Sequence, residues 1–262
     1  MTSADRITQP VTLNDKYTLE EGRIFVSGSQ ALVRLPILQK EADTARGLNT
    51  SGFISGYRGS PLAGLDKQLW SAKKHLESHD IKFTPGINED LGATAVWGSQ
   101  QTHLFPDAKF DGTFALWYGK GPGVDRSMDA IKHANAAGTS ANGGVLALLG
   151  DDHDCVSSTL GHQSEHDMIS AMVPVLYPAT VQEYLDYGLI GFGMSRYAGC
   201  WVGLKCATEI VESSASVEVS PTRIQLKEPK KDSRPEGGLH IRMPDPPLVQ
   251  EQRLEAKVDA AV

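Results

Sequence analysis

Apolar stretches alternate with amphipathic ones along the chain from Ile24 to about Cys206. The segment GGVLALLG, residues 143–150, is a continuous apolar run of the kind that forms a strand buried on both faces. The leucines of residues 62–78 recur near helical spacing, which predicts an amphipathic helix. The full pattern predicts strands over residues 51–57, 81–87, 112–119, 143–150, 172–179 and 200–206, and helices over residues 29–47, 62–78, 124–138 and 181–199 and from about residue 88. This alternation predicts the α/β class, with a mostly parallel sheet and helices on both faces.

The composition and the hydrophobic pattern divide the chain into three parts. Residues 1–23 form an irregular lead-in, residues 24–227 an α/β domain, and residues 228–262 a linker rich in proline, glycine and charge. A helical pattern over residues 248–262 predicts a C-terminal helix, which stops with no obvious cap. We therefore expect the chain to be truncated or to be one piece of a larger enzyme.

Composition and charge narrow the class of protein. The 262 residues are 40% hydrophobic and 22% charged, as in soluble globular proteins, and the net charge of −7 argues against a nucleic-acid partner. Three cysteines without a CxxC spacing suit the cytoplasm and are too few for a four-cysteine iron–sulfur cluster. The sequence has no signal-peptide pattern and no apolar stretch of membrane-spanning length, so we expect a cytoplasmic protein without a membrane partner.

Ligands of open parallel sheets bind beyond the carboxyl ends of the strands, so the turns at those ends are the candidate sites. The first turn lies within ISGYRGSPLAGLD, residues 54–66, where two glycines allow a sharp bend and Ser60 with Pro61 resembles a helix start. The hydroxyl of Ser60 and the guanidinium of Arg58 suit a carboxylate or a phosphate. The alternative is an ordinary strand-to-helix turn, since the segment matches neither a Walker A loop nor a GxGxxG loop.

The second turn, GINEDLGATAVWGSQQ at residues 86–101, places two acids before a row of small residues. Asn88 is the predicted N-cap, and Glu89 and Asp90 fall in the first helical turn, where carboxylates interact favourably with the helix dipole. A simple helix start explains these features, and a functional carboxylate is the alternative.

Two further turns carry glycine or polar residues. WYGKGPGVDRSMDA, residues 117–130, has a cluster of glycines after a strong strand, which allows close approach of a ligand to the backbone. LLGDDHDCVSSTLGHQSEHD, residues 148–167, is a long polar loop of the kind that often carries function. Its histidines match no zinc spacing, and the chain has neither a GxSxG elbow nor a plausible Cys/His pair. We therefore expect no metal site in this chain and no classical hydrolase chemistry.

Taken in order, the four turns resemble the N-terminal region of the 2-oxoacid:ferredoxin oxidoreductases, most closely indolepyruvate ferredoxin oxidoreductase. The matching features are GYRGSP at residues 56–61, Asn88-Glu89, GKGPGVDR at residues 119–126, and the spaced set Asp151, Asp152, Ser157, Ser158, Gln163, Glu165 and Asp167. The resemblance covers residues 17–206. Its four ordered motifs are more specific than any one of them alone.

The resemblance implies the pyrimidine-binding domain of a thiamine diphosphate enzyme, in which a glutamate hydrogen-bonds the ring nitrogen of the cofactor. By that correspondence Glu89 is the catalytic and cofactor-binding residue. Asn88, Gly119 and Gly121 are cofactor-binding candidates, and Ser60, Arg58 and Tyr57 are substrate-binding candidates. Asp152, Ser158 and Gln163 are further candidates on the polar loop. Bound thiamine diphosphate would provide the nucleophilic carbon and the electron sink for decarboxylation.

The sequence also departs from the family. It lacks the GDG…NN motif that holds diphosphate and magnesium, the cluster cysteines and the coenzyme A domain. The resemblance therefore implies a partner domain or subunit that carries magnesium and a 4Fe–4S cluster, with a 2-oxoacid as substrate, coenzyme A and ferredoxin as partners of the complete enzyme, and a homo- or hetero-oligomer. Two alternatives stay open: a noncatalytic flavodoxin-like assembly domain, and a transketolase-type thiamine diphosphate subunit that acts without ferredoxin.

Overall fold

The computed structural model describes residues 11–156, 158–227, 229, 234–243 and 245–262. The strands are β1 (Gly22–Ser27), β2 (Thr50–Gly56), β3 (Ile81–Phe83), β4 (Gly112–Lys120), β5 (Val145–Asp151), β6 (Val175–Leu176), β7 (Trp201–Ala207) and β8 (Ser214–Val219). The helices are α1 (Asp15–Thr18), α2 (Gly28–Ala45), α3 (Leu65–Ser71), α4 (Lys73–Glu77), α5 (Glu89–Ser99), α6 (Gly121–Ala137), α7 (Glu165–Ser170), α8 (Val181–Ala198), α9 (Thr208–Val211) and α10 (Pro247–Ala261). Short 3-10 turns occupy Leu62–Gly64 and Thr102–Leu104.

Six strands form one parallel sheet in the order β3-β2-β4-β5-β7-β6. Side chains along β4 alternate between two cores: Leu116 and Tyr118 pack with residues of α2 and α8, whereas Ala115 and Trp117 pack with residues of α5 and α6. The central strand β5 is buried at every position, as its uninterrupted apolar sequence predicts. The predicted α/β class, with a parallel sheet and helices on both faces, is confirmed.

A separate two-stranded antiparallel sheet pairs β1 with β8, with Ile24 opposite Val217. The buried side chains of both strands join the core that contains α2 and α8. The capping box of Ser27 and Gln30 starts α2 directly after β1. The lead-in is attached to the same region, because the buried Arg34 donates hydrogen bonds to the carbonyl oxygens of Tyr17 and Leu19. The boundaries proposed for the α/β domain remain predictions.

Several elements differ in extent from the sequence pattern. The helix predicted over residues 62–78 is divided into a 3-10 turn, α3 and α4, with a break at Ala72. Ser60 does not cap a helix, since the N-cap of the 3-10 turn is Pro61 and that of α3 is Gly64. The polar loop contains a short helix, α7, that its composition does not indicate. The sequence pattern therefore located the helical region of residues 62–78 without its break, and it did not indicate α7.

The C-terminal helix α10 packs against α6 and α8. Its buried Lys257 donates hydrogen bonds of 2.9 and 2.7 Å to the carbonyl oxygens of Asn135 and Ala136, in the last turn of α6. The described part of residues 228–262 is thus joined to the α/β layers. No helix among the described residues has the length and apolarity needed to cross a membrane.

Candidate functional site

The carboxyl ends of β2, β4 and β5 lie side by side in the sheet. The backbone N–H of Tyr57 donates to the carbonyl oxygen of Tyr118 at 3.0 Å, which ties the turn after β2 to the end of β4. The N–H of Gly86 donates to the carbonyl oxygen of Gly56 at 2.8 Å, which brings the start of α5 to the same edge. Three of the four candidate turns are therefore anchored at one edge of the sheet, and the polar loop follows β5 there.

Glu89 is the first residue of α5, as the sequence predicts. The side-chain oxygen of Asn88 accepts a hydrogen bond of 2.8 Å from the N–H of Leu91, so Asn88 is a helix N-cap. The indole N–H of buried Trp117 donates to the carbonyl oxygen of Glu89 at 3.0 Å, which fixes the backbone at this position. A cap of this kind normally leaves its first-turn acids in solvent, yet Glu89 is only 7% exposed.

The carboxylate of Glu89 lies against the first turn of α6. A β-carbon at Gly123 would be 2.5 Å from Cγ and 2.7 Å from Oε1 of Glu89, so only glycine leaves room for this side chain. The carboxylate faces the positive end of the α6 dipole. Within the described ranges it accepts no hydrogen bond, and it forms one ion pair, with Nη1 of Arg126 at 3.8 Å from Oε2. The carboxylate oxygens therefore keep their capacity to accept hydrogen bonds from water or a ligand.

The turn after β2 carries the predicted substrate residues. Tyr57 and Arg58 are exposed and Ser60 is half-buried. Gly59 rests on the side chain of Lys120, because a β-carbon at Gly59 would be 2.8 Å from its Cδ. The cations of Arg58 and Lys120 therefore belong to adjacent turns at one edge, an arrangement that suits a small carboxylate.

Two of the glycines predicted to approach a cofactor are covered by side chains of the protein. A β-carbon at Gly119 would collide with the ring of Trp117, and one at Gly121 would collide with the ring of His162. Nε2 of His162 lies 3.1 Å from a carboxylate oxygen of Asp125 on α6. Its Nδ1 is buried, with no hydrogen-bond partner in the described part of the chain. His162 thus attaches the polar loop to the first turns of α6.

The acids that begin the polar loop hold its backbone. Asp152 accepts a hydrogen bond from the N–H of Val156 at 3.0 Å, and its carbonyl oxygen accepts one from the N–H of His162 at 3.2 Å. The buried Asp151 accepts from the N–H and the hydroxyl of Ser164 and forms an ion pair with Lys205. Both acids therefore have a structural role, since their contacts hold the polar loop in place.

The remaining loop candidates differ in their surroundings. Ser158 is half-buried and Gln163 is exposed, while Ser157 lies outside the described residues. Lys205 also pairs with Glu165, whose pKa is lowered overall because the hydrogen bond and charge of Lys205 outweigh the effect of burial. Burial and the neighbouring Asp125 raise the pKa of Asp167. The described residues contain no group of three or more histidine, cysteine or acidic side chains arranged to hold a metal ion.

Two surface cavities lie away from this edge. One of about 320 Å³ is bordered by α2, α8 and residues 221–226, and one of about 410 Å³ lies beside the edge strand β3. Glu89 lines neither. The candidate site therefore lies at the carboxyl ends of the strands, apart from both cavities.

The structure adds residues that the sequence analysis did not single out: Trp117, Lys120, Gly123, Arg126 and His162. Gly123 and Arg126 stand inside the motif GKGPGVDR, so the motif located them without assigning a role. No sequence motif indicates the roles of Trp117 and His162. Trp117 contacts Glu89 and His162 covers Gly121, and both contacts join segments that are distant in the chain.

No protein-family model matches the chain. The chain is similar to indolepyruvate oxidoreductase subunit IorA of Methanothermobacter marburgensis, with 25% identity over 203 residues that cover 78% of this chain and 29% of that protein. The IorA subunit of Archaeoglobus fulgidus is 26% identical over 211 residues, which cover 79% of this chain and 30% of the relative. The chain thus spans about a third or less of the length of these relatives.

The fold is similar to that of a solved 2-oxoglutarate:ferredoxin oxidoreductase from Magnetococcus marinus with 2-oxoglutarate, coenzyme A and succinyl-CoA bound. The TM-score is 0.58 and the identity 13%, over 91% of this chain and 44% of that one. The sequence relatives and the shared fold together confirm the resemblance of this chain to the 2-oxoacid:ferredoxin oxidoreductase family.

Proposed function

We propose that this chain is the N-terminal cofactor-binding part of a thiamine diphosphate-dependent 2-oxoacid:ferredoxin oxidoreductase of the indolepyruvate type. The complete enzyme would convert an aryl 2-oxoacid to an acyl-CoA by oxidative decarboxylation and pass the electrons to ferredoxin. The observation that carries the proposal is the buried carboxylate of Glu89, which accepts no hydrogen bond from the described residues.

The residues around Glu89 fit the aminopyrimidine of the cofactor. A protonated ring nitrogen would donate the hydrogen bond that the carboxylate lacks, and an unprotonated one would accept a hydrogen bond from the neutral acid. Gly123 leaves the space in which the carboxylate lies, and Asn88 and Trp117 hold the backbone from which it projects. Thiamine diphosphate, when bound, would supply the nucleophilic carbon and the electron sink.

The turn after β2 is the proposed substrate side of the site. Arg58 and Lys120 offer cations to the carboxylate of a 2-oxoacid, and the hydroxyl of Ser60 offers a hydrogen bond to a carboxylate or keto oxygen. Tyr57 adds an exposed aromatic ring beside them. Their positions support binding of a small anion, and the aryl character of the substrate comes from the named relatives.

The site is incomplete in this chain, which has no diphosphate and magnesium motif. Ile87 is 84% exposed and Leu91 is 49% exposed, on either side of Glu89. Exposed apolar side chains beside a candidate site favour contact with a further domain or subunit. We propose that this partner supplies the magnesium site and the 4Fe–4S cluster, and that residues 24–227 are the pyrimidine-binding domain.

The proposal is tested with Glu89→Gln and the neighbouring Asp90→Asn as a matched control. Glu89→Gln should lower 2-oxoacid-dependent dye or ferredoxin reduction by about 10²- to 10⁴-fold, because the amide cannot take the proton. It should also weaken the binding of thiamine diphosphate with magnesium, measured by calorimetry on the complete protein. Asp90→Asn removes a carboxylate from the same turn and should leave both quantities nearly unchanged. Full cofactor affinity and activity in Glu89→Gln would contradict the proposal and favour a noncatalytic assembly domain.

A further inference from the structure

We propose that Arg126 is a gate on Glu89: its guanidinium pairs with the carboxylate in the cofactor-free protein and must leave before the cofactor ring binds. The inference rests on the proposed function and adds a competitor for the same carboxylate. The structural basis is the ion pair between α5 and α6.

Arg126 and Gly123 lie three residues apart on α6 and therefore share one face of the helix. Glu89 occupies the space over Gly123, so the arginine side chain extends past the same carboxylate. The distance from Nη1 to Oε2 is 3.8 Å, which satisfies an ion pair but is too long for a hydrogen bond. The guanidinium therefore holds the carboxylate by charge attraction rather than by a hydrogen bond.

The two partners differ in exposure. The Arg126 side chain is 61% exposed, whereas that of Glu89 is 9% exposed. The arginine can therefore rotate into water at small cost, while the carboxylate stays in place. Because the arginine side of the pair is open to solvent, the attraction is weak enough for a ligand to displace.

Arginine keeps its charge at all physiological pH values, so the competition cannot be relieved by deprotonation. A ring nitrogen that shares a proton with Glu89 would have to approach a carboxylate already held by a fixed cation. The pair thus opposes cofactor binding by the free energy needed to separate it. In the cofactor-free protein the same cation balances the negative charge of the Glu89 carboxylate.

The test is calorimetric titration of the complete protein with thiamine diphosphate at saturating magnesium. Arg126→Gln should bind the cofactor about two- to fivefold more tightly than the wild type, the fold-change that corresponds to a surface ion pair. Arg126→Lys keeps the charge and should stay close to the wild type. Lys132→Gln removes the same charge from an exposed position on the same helix and should not change the dissociation constant.

Salt provides a second readout. Added salt screens an exposed ion pair, so the ratio of the wild-type and Arg126→Gln dissociation constants should approach one as ionic strength rises. An Arg126→Gln protein that binds no more tightly than Lys132→Gln, or more weakly than the wild type, would overturn the gate. If Glu89→Gln still weakens binding in that case, the proposed function is supported and only the gate is rejected. Unchanged binding in Glu89→Gln would overturn both.

Discussion

At the scale of single residues, the small side chains that follow Glu89 have a structural explanation. A β-carbon at Gly92 would lie 2.9 Å from Cα of Gly56, so α5 packs directly on the end of β2. Gly98, in contrast, has open space around its α-carbon. The glycines of one helix therefore have different roles, and composition alone does not separate them.

Gly123→Ala should displace the Glu89 carboxylate, because the added methyl group takes the space of Cγ and Oε1. We expect cofactor affinity to fall nearly as far as in Glu89→Gln while the protein remains folded, since the displaced group is the end of a flexible side chain. Calorimetric titration and circular dichroism measure the two quantities. Gly98→Ala is the control, for which we expect unchanged affinity and a stability gain of up to about 1 kcal/mol. Wild-type affinity in Gly123→Ala would show that Glu89 need not lie over this glycine.

At the scale of elements, α6 connects the candidate site with the C-terminal helix. Its first turn lies against Glu89 and His162, and its last turn accepts two hydrogen bonds from Lys257 of α10. A lysine at this position donates to carbonyl groups that a helix end leaves free. The C-terminal helix α10 is thus attached to the helix that carries Gly123 and Arg126.

This contact predicts a pH dependence of stability. Burial and the charge of Arg253 lower the pKa of Lys257 from 10.5 to about 7. Between these values the unfolded chain binds a proton that the folded protein does not, so the free energy of unfolding rises with pH from about 7. We expect denaturant titrations to show a wild-type stability that increases relative to Lys257→Met between pH 7 and about 9. Lys132→Met, an exposed position on α6, should give a profile parallel to the wild type. If the stability of Lys257→Met followed the same pH profile as the wild type, the lowered pKa of Lys257 in the folded protein would be contradicted.

At the scale of the whole molecule, the buried Asp43 joins elements from distant parts of the chain. Both of its oxygens accept hydrogen bonds of 2.7 Å from Arg196 on α8, and one accepts from the hydroxyl of Thr50 on β2. Burial raises the pKa of Asp43, but the hydrogen bonds and charge of Arg196, with Thr50 and Arg46, outweigh it and hold the pKa below its ordinary value. A single carboxylate on α2 thus ties one helical layer to the sheet.

Asp43→Asn should lower the free energy of unfolding by about 3 to 5 kcal/mol, because it leaves the largely buried Arg196 without its charge partner. The contribution exists above the unfolded pKa of 3.8 and is lost as pH falls below it. The difference between wild type and variant in urea titrations should therefore shrink in acid. Glu218→Gln, which breaks an exposed pair with Arg23, should cost much less. Equal losses in the two variants would refute the role of Asp43.

The sequence pattern predicted the α/β class more accurately than the extent of the elements, and the site itself remains a prediction. Asn88 and Glu89 were located because a cap and a first helical turn depend on adjacent residues. The break at Ala72 and the short helix α7 were missed, since packing on the sheet decides where such segments end. Tyr57, Arg58, Ser60, Asp152, Ser158 and Gln163 were named by motif, and their chemical roles remain predictions.

The sequence by itself determined the alternation of strands and helices, the turns at the carboxyl ends and the start of α5, because these follow from local periodicity and capping. Only the tertiary structure decided that Glu89 is buried over Gly123, that Arg126 is its ion-pair partner and that His162 covers Gly121. These contacts join segments whose separation along the chain carries no local signal. The carboxylate of Glu89 is set apart from an ordinary helix start by this burial, which strand order and helix packing impose.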